Sequence, residues 1–314
     1  MEYGFGVDLG GTTVKLACFH RSGKCLDKWE LPTVTEEQGR QILPDIAASL
    51  KAYGIDPGEV FGIGIGVPGP VQQNGVVNGC VNLGWGKVNI EKELEALTGL
   101  PVKAGNDANV AALGECWQGA GCGNMVMVTL GTGVGGGILV DGKILPGVNG
   151  AGGEVGHITL NEEETEACGC GRRGCAEQYC SATGILRMAK EILKAQDTPS
   201  VLRDLEEITC KDIFDAADAD PIAAAVVDRF CQYLGKLLAM VCCVTDPERI
   251  VIGGGVSKAG EKLLKGVRKH FEASAFHACR NTEFSLARLG NDAGVYGAFK
   301  MALDAFGPEV KECS

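Results

Sequence analysis

Residues 7–26 read VDLGGTTVKLACFHRSGKCL, and residues 128–145 read VTLGTGVGGGILVDGKIL. Each stretch begins with an apolar strand that ends at a turn rich in glycine and threonine. Each then continues with a second strand and a Gly-Lys hairpin. The two stretches begin at Val7 and Val128, 121 residues apart. The sequence therefore repeats one structural design, and we expect two lobes that are each built on it.

The two glycine-rich turns have the composition of phosphate-binding sites. Adjacent glycines let backbone N–H groups approach an oxyanion, and the threonine hydroxyls add donors. Asp8 precedes the first turn, where a carboxylate can hold Mg²⁺ through water. The alternative for the first turn is a tight Gly-Gly hairpin with an Asp turn residue, but a hairpin alone would not need Thr12 and Lys15.

A third glycine run follows the predicted strand 249–252. A base or ribose can lie against such backbone, and close packing of helix on strand is the alternative. The residues that we expect to contact the nucleotide are Asp8, Gly10, Gly11, Thr12, Lys15, Gly131, Thr132, Gly133, Gly254 and Gly255.

Two lobes that each offer a glycine-rich hairpin to one nucleotide resemble the actin/hexokinase/Hsp70 class of folds. These are two-lobed α/β proteins with a duplicated, ribonuclease H-like core. The resemblance implies an interlobe active-site cleft that binds ATP, with its terminal phosphates between the turns at 10–12 and 131–133.

The composition and net charge of the chain limit the classes of molecule that it is expected to bind. The chain has 314 residues and a net charge of −11, and it contains no block of basic residues. This balance argues against nucleic acid or an anionic membrane as a partner. The N-terminal MEYGFGVDLG has neither the basic nor the apolar region of a signal peptide. We therefore expect a cytoplasmic protein whose 15 cysteines are mostly reduced thiols.

Asn106 and Asp107 stand where a predicted strand ends and a helix over 108–118 begins. Asp107 has two compatible interpretations. It is a good residue to cap the helix. It is also a carboxylate at the carboxyl end of a sheet, where α/β folds bind ligands and where a kinase base accepts a hydroxyl proton.

Residues 150–180 read GAGGEVGHITLNEEETEACGCGRRGCAEQYC. Cys168, Cys170 and Cys175 lie within eight residues of a loop rich in glycine and arginine, a composition that suits a metal better than an apolar core. Three thiolates and the imidazole of His157 would give zinc a closed tetrahedral site. Taken alone, His157 would more often be a structural histidine.

The segment from Glu154 to His157, EVGH, and the segment from Cys168 to Glu177, CGCGRRGCAE, together resemble the zinc-binding signature of the ROK family of sugar kinases and repressors. The match extends to both phosphate turns and is strongest for the glucokinase branch. The resemblance implies that Asp107 is the general base, that zinc is structural, and that the protein forms homodimers. The resemblance implies that Asn106, Asp107, Glu154, His157 and Glu177 bind the sugar. We add Gly69, which lies in the Pro-Gly-Pro turn at residues 68–70.

The sequence thus predicts an ATP-dependent hexokinase that phosphorylates glucose at its 6-hydroxyl. The alternatives are a kinase for N-acetylmannosamine or fructose, a sugar-responsive regulator without its DNA-binding domain, and a nucleotide-gated interaction module. We expect a small lobe of residues 1–112 plus 294–314 and a larger lobe of residues 113–293 with the zinc-binding loop.

The helix pattern elsewhere is regular except at Pro44. Residues 36–53 predict one helix, in which Pro44 marks either a kink or a start one turn later, and residues 176–194 predict another. The last predicted helix, 292–306, has small residues at 293, 294, 297 and 298. We expect this small-residue face to pack closely against the first lobe.

Overall fold

The computed structural model describes residues 1–308. Its strands are β1 Tyr3–Leu9, β2 Thr13–His20, β3 Cys25–Pro32, β4 Val60–Val67, β5 Val76–Cys80, β6 Trp85–Asn89, β7 Val102–Asn106, β8 Met125–Leu130, β9 Val134–Val140, β10 Lys143–Ile144, β11 Arg249–Gly253 and β12 Glu283–Leu286. Its helices are α1 Glu36–Gly39, α2 Ile42–Ala52, α3 Ile90–Thr98, α4 Asp107–Gln118, α5 Glu177–Cys180, α6 Ala182–Ala195, α7 Cys210–Ala216, α8 Pro221–Thr245, α9 Glu261–Ser274 and α10 Ala293–Phe306.

The predicted duplication is visible in two five-stranded sheets. The first has the order β3-β2-β1-β4-β7 and the second has the order β10-β9-β8-β11-β12. In the first, β1 pairs antiparallel with β2 and parallel with β4, and β4 pairs parallel with β7. In the second, β11 pairs parallel with both β8 and β12. The strands after each glycine-rich turn therefore occupy equivalent places in the two sheets.

The chain divides into two compact units. The first unit contains Met1–Gly123, Gly137–Gly153 and the residues from Arg288 onward, and the second contains Asn124–Gly136 and Glu154–Ala287. The lobe boundaries expected from the sequence stay a prediction.

In the first unit, α10 packs against β4 through small residues, as the sequence predicted. A Cβ on Gly64 of β4 would lie 1.7 Å from the Ala298 carbonyl oxygen. A Cβ on Gly297 of α10 would lie 1.7 Å from the Val110 carbonyl oxygen of α4. Because these contacts leave no space for a methyl group, glycine is required at both positions.

A buried carboxylate holds the end of α4. The Glu115 side chain is 0% exposed. One of its oxygens accepts from the Leu289 backbone N–H at 2.7 Å, and the other accepts from the N–H groups of Arg288 and Ala120 at 3.0 and 3.1 Å. Three backbone donors satisfy the oxygens of a side chain that would otherwise be costly to bury.

The predicted helix 36–53 is wrong as a single element. Glu37 and Gln38 have φ values of +51° and +63°, and Gly39 has a φ of +65°. The left-handed backbone ends α1 after one turn, and α2 begins at Ile42. Pro44 thus lies in the first turn of α2, where its missing N–H costs no helical hydrogen bond.

Two further boundaries differ from the prediction. The expected helix 176–194 is divided at Ser181, whose hydroxyl accepts from the Gly184 N–H as the cap of α6. Ser181 therefore ends α5 after four residues. The sequence also predicts a strand over residues 283–289, but β12 ends at Leu286. Within residues 1–308, none of the helices has the length and hydropathy required to cross a membrane.

Candidate active site

Asn106, not Asp107, caps α4. The Asn106 Oδ1 accepts from the Asn109 N–H at 3.1 Å, and Asn106 has extended backbone geometry while Asp107 is the first helical residue. The capping interpretation of Asp107 is therefore wrong. Because Asn106 satisfies the N–H that an N-cap side chain binds, the Asp107 carboxylate is not needed for that role.

The sequence placed Asn106 and Gly69 in the sugar site, and the structure brings them together. The Asn106 Nδ2 donates to the Gly69 carbonyl at 3.2 Å. Gly69 follows β4 with a φ of +92°, which explains why the Pro-Gly-Pro turn needs a glycine there. The predicted base, the residue that caps its helix, and the turn after β4 thus form one connected group.

Asn109 belongs to the same group and was missed from the sequence. It is 3% exposed, and its Nδ2 donates to the Gly152 carbonyl at 2.9 Å. Its Oδ1 is buried and has no hydrogen-bond partner among the described residues. The bond to Gly152 fixes the chain two residues before Glu154. The available sequence signal was a second asparagine, two positions after Asp107.

The first glycine-rich turn is exposed at its tip. Gly11 and Thr12 are both exposed. The Gly10 N–H donates to the Thr13 carbonyl at 3.0 Å, and the Thr33 hydroxyl donates to the Gly10 carbonyl at 2.7 Å. The base of the turn is therefore held by the protein, while its tip is accessible to an anion.

Asp8 and Lys15 face the start of α10. A Cβ on Gly294 would lie 2.4 Å from the Asp8 carboxyl carbon. Burial raises the pKa of Asp8, and the charge of Lys15 acts in the opposite direction. The Lys15 Nζ donates to the Asn291 carbonyl at 3.0 Å. Lys15 thus contributes positive charge near Asp8 while its ammonium is held by backbone.

The second glycine-rich turn is held by the start of α6. The Ala182 N–H donates to the Gly131 carbonyl at 2.8 Å, and the Thr183 hydroxyl donates to the Thr132 carbonyl at 2.9 Å. The Gly131 N–H donates to the Gly133 carbonyl at 3.0 Å. Thr132 is exposed at the tip. Both turns therefore combine a fixed base with an accessible tip.

Gly254 and Gly255 lie beside the second turn. Gly254 has a φ of +84°, and a Cβ there would lie 2.5 Å from the Leu130 carbonyl oxygen. Close backbone packing therefore accounts for glycine at Gly254. Both Gly254 and Gly255 are exposed, and Leu130 directly precedes Gly131, so these two predicted nucleotide-binding segments are neighbours.

The four predicted metal ligands converge. One ligand atom from each of His157, Cys168, Cys170 and Cys175 lies within 4.8 Å of every other. The Cys170 and Cys175 sulfurs are 3.7 Å apart, and the Cys168 sulfur is 3.8 Å from the His157 Nδ1. In a tetrahedral zinc site with Zn–S bonds near 2.3 Å, sulfur ligands are separated by about 3.8 Å. The donor set and its spacing fit zinc.

The three thiols differ in their pKa values. Burial raises the pKa of Cys175 to about 12, and burial also raises the pKa of Cys168. For Cys170, burial acts upward, but hydrogen bonds from the Arg172 backbone and from the other two thiols lower the pKa. Because a metal binds thiolates, its charge must offset the burial of Cys168 and Cys175.

Glu154 and Glu177 lie beside this cluster, to which His157 belongs. The His157 Nδ1 faces Cys168, while its Nε2 lies 3.9 Å from the Glu154 carboxylate. The Glu177 Oε2 accepts from the Val134 N–H at 2.9 Å, and its Oε1 lies 3.6 Å from the Cys168 sulfur. Glu177 thus connects the cysteine cluster to the strand that leaves the second glycine-rich turn.

Comparison with known proteins shows which class of protein has this fold and this set of residues. The ROK family model matches residues 4–305 of the chain. The crystal structure of a ROK family glucokinase from Streptomyces griseus in complex with glucose and AMPPNP is 34% identical, with a TM-score of 0.77. The match covers 96% of this chain and 99% of that one. The fold is therefore the expected actin/hexokinase-like fold.

Two curated relatives extend this result. A glucokinase from Halalkalibacterium halodurans is 47% identical over 304 residues, which are 93% of this chain and 92% of the relative. An N-acetylgalactosamine kinase from Shewanella sp. is 33% identical and covers 94% of each chain. The protein is an ATP-dependent sugar kinase. Within this class of kinases, the chain belongs to the ROK family.

Proposed function

We propose that the protein transfers the γ-phosphoryl group of ATP to the 6-hydroxyl of glucose. The observation that carries this proposal is the 47% identity with a glucokinase across 93% of the chain. The position of Asp107 at the start of α4, with Asn106 as the cap, supports the assignment of its carboxylate as the general base.

The proposed chemistry uses few groups. The Asp107 carboxylate accepts the proton of the 6-hydroxyl as its oxygen attacks phosphorus, which contributes about 10²–10⁴-fold to the rate. Backbone N–H groups of the turns at 10–12 and 131–133, with Mg²⁺ bound to ATP, stabilise the charge that develops on the phosphoryl oxygens. Asp8 orients the Mg²⁺ through water, and Lys15, Gly254 and Gly255 complete the nucleotide site.

Recognition of the sugar follows from hydroxyl chemistry. Each hexose hydroxyl both donates and accepts, so carboxylates and amides are suitable partners. We propose this role for Gly69, Asn106, Asp107, Glu154, His157 and Glu177. If the His157 Nδ1, which faces Cys168, ligates zinc, its Nε2 would carry the proton and would donate to a sugar oxygen. A zinc ion held by His157, Cys168, Cys170 and Cys175 would be structural, because four protein ligands leave no open position.

A panel of sugars with ATP-Mg²⁺ tests the substrate. We expect kcat/KM to be highest for glucose among glucose, fructose, N-acetylmannosamine and N-acetylgalactosamine. The last sugar is included because an N-acetylgalactosamine kinase is 33% identical to this chain. A higher kcat/KM for any other sugar would replace glucose as the substrate. ADP release that does not depend on any sugar would contradict the assignment of these residues to a sugar site.

Three further expectations stand as proposals on the family resemblance. We propose that the protein is a homodimer, that it is cytoplasmic, and that its lobes are residues 1–112 plus 294–314 and residues 113–293. Light scattering after size-exclusion chromatography measures the mass in solution, and a mass near 33 kDa would contradict the dimer, since one chain has a mass of 32.8 kDa.

A further inference from the structure

A cluster of charged and aromatic side chains lies beside the cysteine loop and has no place in the chemistry above. The Glu164 carboxylate, with a side chain only 9% exposed, accepts from the Arg187 Nη2 at 2.7 Å and from the Tyr179 hydroxyl at 2.6 Å. The Arg187 Nη1 donates to Glu166 at 3.2 Å. We call Glu164, Glu166, Tyr179 and Arg187 the Arg187 clamp.

The clamp joins three parts of the second unit. Glu164 and Glu166 come from the segment between His157 and Cys168, Tyr179 comes from α5, and Arg187 comes from α6. The Arg187 guanidinium lies 5.3 Å from the centre of the Tyr179 ring. The other face of the clamp is fixed to α8, because Tyr179 stacks on Tyr233 with ring centres 4.2 Å apart.

Strong polar contacts hold the clamp together. The pKa of Glu164 is lowered to about 2. The hydrogen bond from Arg187 has the largest effect, burial acts in the opposite direction, and the hydrogen bond from Tyr179 lowers the pKa further. The carboxylate raises the pKa of Arg187, although burial acts downward. Both groups are therefore charged throughout the working pH range, and their bonds are charge-assisted.

Arg187 also reaches the backbone of α5. Its Nη2 donates to the Gln178 carbonyl at 3.2 Å. Gln178 is the residue after Glu177, and its own side chain accepts from the Cys175 N–H at 3.1 Å. The α5 helix has four residues, and its N-cap residue Ala176 offers no side-chain cap. A helix this short has no stability of its own, so outside contacts must fix the direction of Glu177.

We propose that Arg187 is a positioning residue of the sugar kinase reaction, which holds Glu177 in its sugar-binding orientation through α5. The candidate metal-binding cluster includes Cys175, before Glu177, and the Arg187 clamp contacts the chain after Glu177, at Gln178 and Tyr179. The inference rests on the proposed role of Glu177 in binding the sugar. The clamp acts through hydrogen bonds, so it positions Glu177 without contributing a metal ligand.

The variant Arg187→Met tests this role, because it removes the guanidinium and keeps an unbranched side chain. We expect the glucose KM and the glucose Kd from calorimetry to rise by about tenfold, which corresponds to about 1.4 kcal/mol of binding free energy. The ATP KM should change by less than about twofold, since the nucleotide residues are not in the clamp. The zinc content per chain should be unchanged.

Arg229→Met is the matched control. The Arg229 guanidinium lies 6.0 Å from the Tyr233 ring, so this arginine contacts the same stacked pair from α8. It should leave the glucose KM unchanged. Tyr179→Phe, which removes one donor to Glu164 and keeps the stacked ring, should raise the glucose KM less than Arg187→Met does. Tyr179→Phe also provides the test if Arg187→Met does not fold.

Three results would overturn the inference. The first is an unchanged glucose Kd in Arg187→Met, and the second is an equal rise in the glucose and ATP KM values together with a lower melting temperature, which a merely structural role produces. The third is loss of zinc. The variant Glu177→Gln tests the proposed sugar-binding role of Glu177 separately from the positioning role of Arg187. If Glu177→Gln weakens glucose binding and Arg187→Met does not, the positioning role alone fails. If Glu177→Gln has no effect, the sugar-binding role of Glu177 fails and the inference fails with it.

Discussion

Replacing Asp107 with asparagine separates catalysis from helix stability at the start of α4. The helix cap is Asn106, whose Oδ1 binds the Asn109 N–H at 3.1 Å, so Asp107→Asn leaves that bond in place. The variant loses one negative charge in the first turn of a helix, which costs about 0.3–1 kcal/mol of folding free energy. It also loses the carboxylate that accepts the hydroxyl proton.

The expected effect on rate is much larger than the effect on stability. Loss of a general base lowers kcat by about 10²–10⁴-fold. At 1.36 kcal/mol for each factor of ten, this corresponds to about 2.7–5.4 kcal/mol of activation free energy. The rate should therefore fall by orders of magnitude in a protein whose melting temperature shifts by only a few degrees. A coupled assay for ADP and a thermal melt measure the two quantities.

Asp45→Asn provides the matched control for the charge. Asp45 lies in the first turn of α2, so this variant also removes one carboxylate near a helix N-terminus. It should show a similar small loss of stability and unchanged kcat. Near-normal turnover in Asp107→Asn would refute the assignment of Asp107 as the base. A large loss of stability in that variant would refute the assignment of the cap to Asn106.

Four further outcomes are expected. Cys170→Ser should lower the zinc content measured by elemental analysis and weaken glucose binding, and a parent protein without zinc would contradict the metal site. Glu115→Gln should lower the free energy of unfolding by about 1–3 kcal/mol in urea titration, because an amide cannot accept three backbone N–H groups as a carboxylate does; an unchanged midpoint would argue against a buried anion. Asn109→Ala should raise the glucose KM with a smaller effect on the ATP KM, since it releases the chain before the EVGH segment, and equal changes in both would contradict this. The pKa of Glu164 is lowered to about 2, so its contribution to stability is present above its ordinary value near 4.5 and is lost as pH falls toward 2. In Arg187→Met the dependence of stability on pH in that range should be weaker, and an identical acid profile would argue against the pair.

The sequence alone was sufficient for the features that depend on local pattern. Each of the two glycine-rich turns follows an apolar strand, and the strands on either side of each turn have equivalent places in the two sheets. The four candidate metal ligands lie within 19 residues of one another along the chain, so spacing and residue type were enough to group His157 with Cys168, Cys170 and Cys175. The small-residue face of α10 likewise predicted close packing, because small side chains on one face of a helix let a neighbouring backbone approach closely.

Only the tertiary structure shows which polar groups already have hydrogen-bond or ion-pair partners. Asn106 and Asp107 are both good capping residues, and propensity cannot choose between neighbours when each can bind the same N–H group. Glu37 and Gln38 adopt left-handed backbone although neither is glycine, and the local signals near the break were Gly39 and Pro44. Arg187 meets Glu164 across 23 residues, and Glu115 meets Leu289 across 174. Such long-range pairs depend on how distant segments pack, and hydrophobic periodicity carries no information about them.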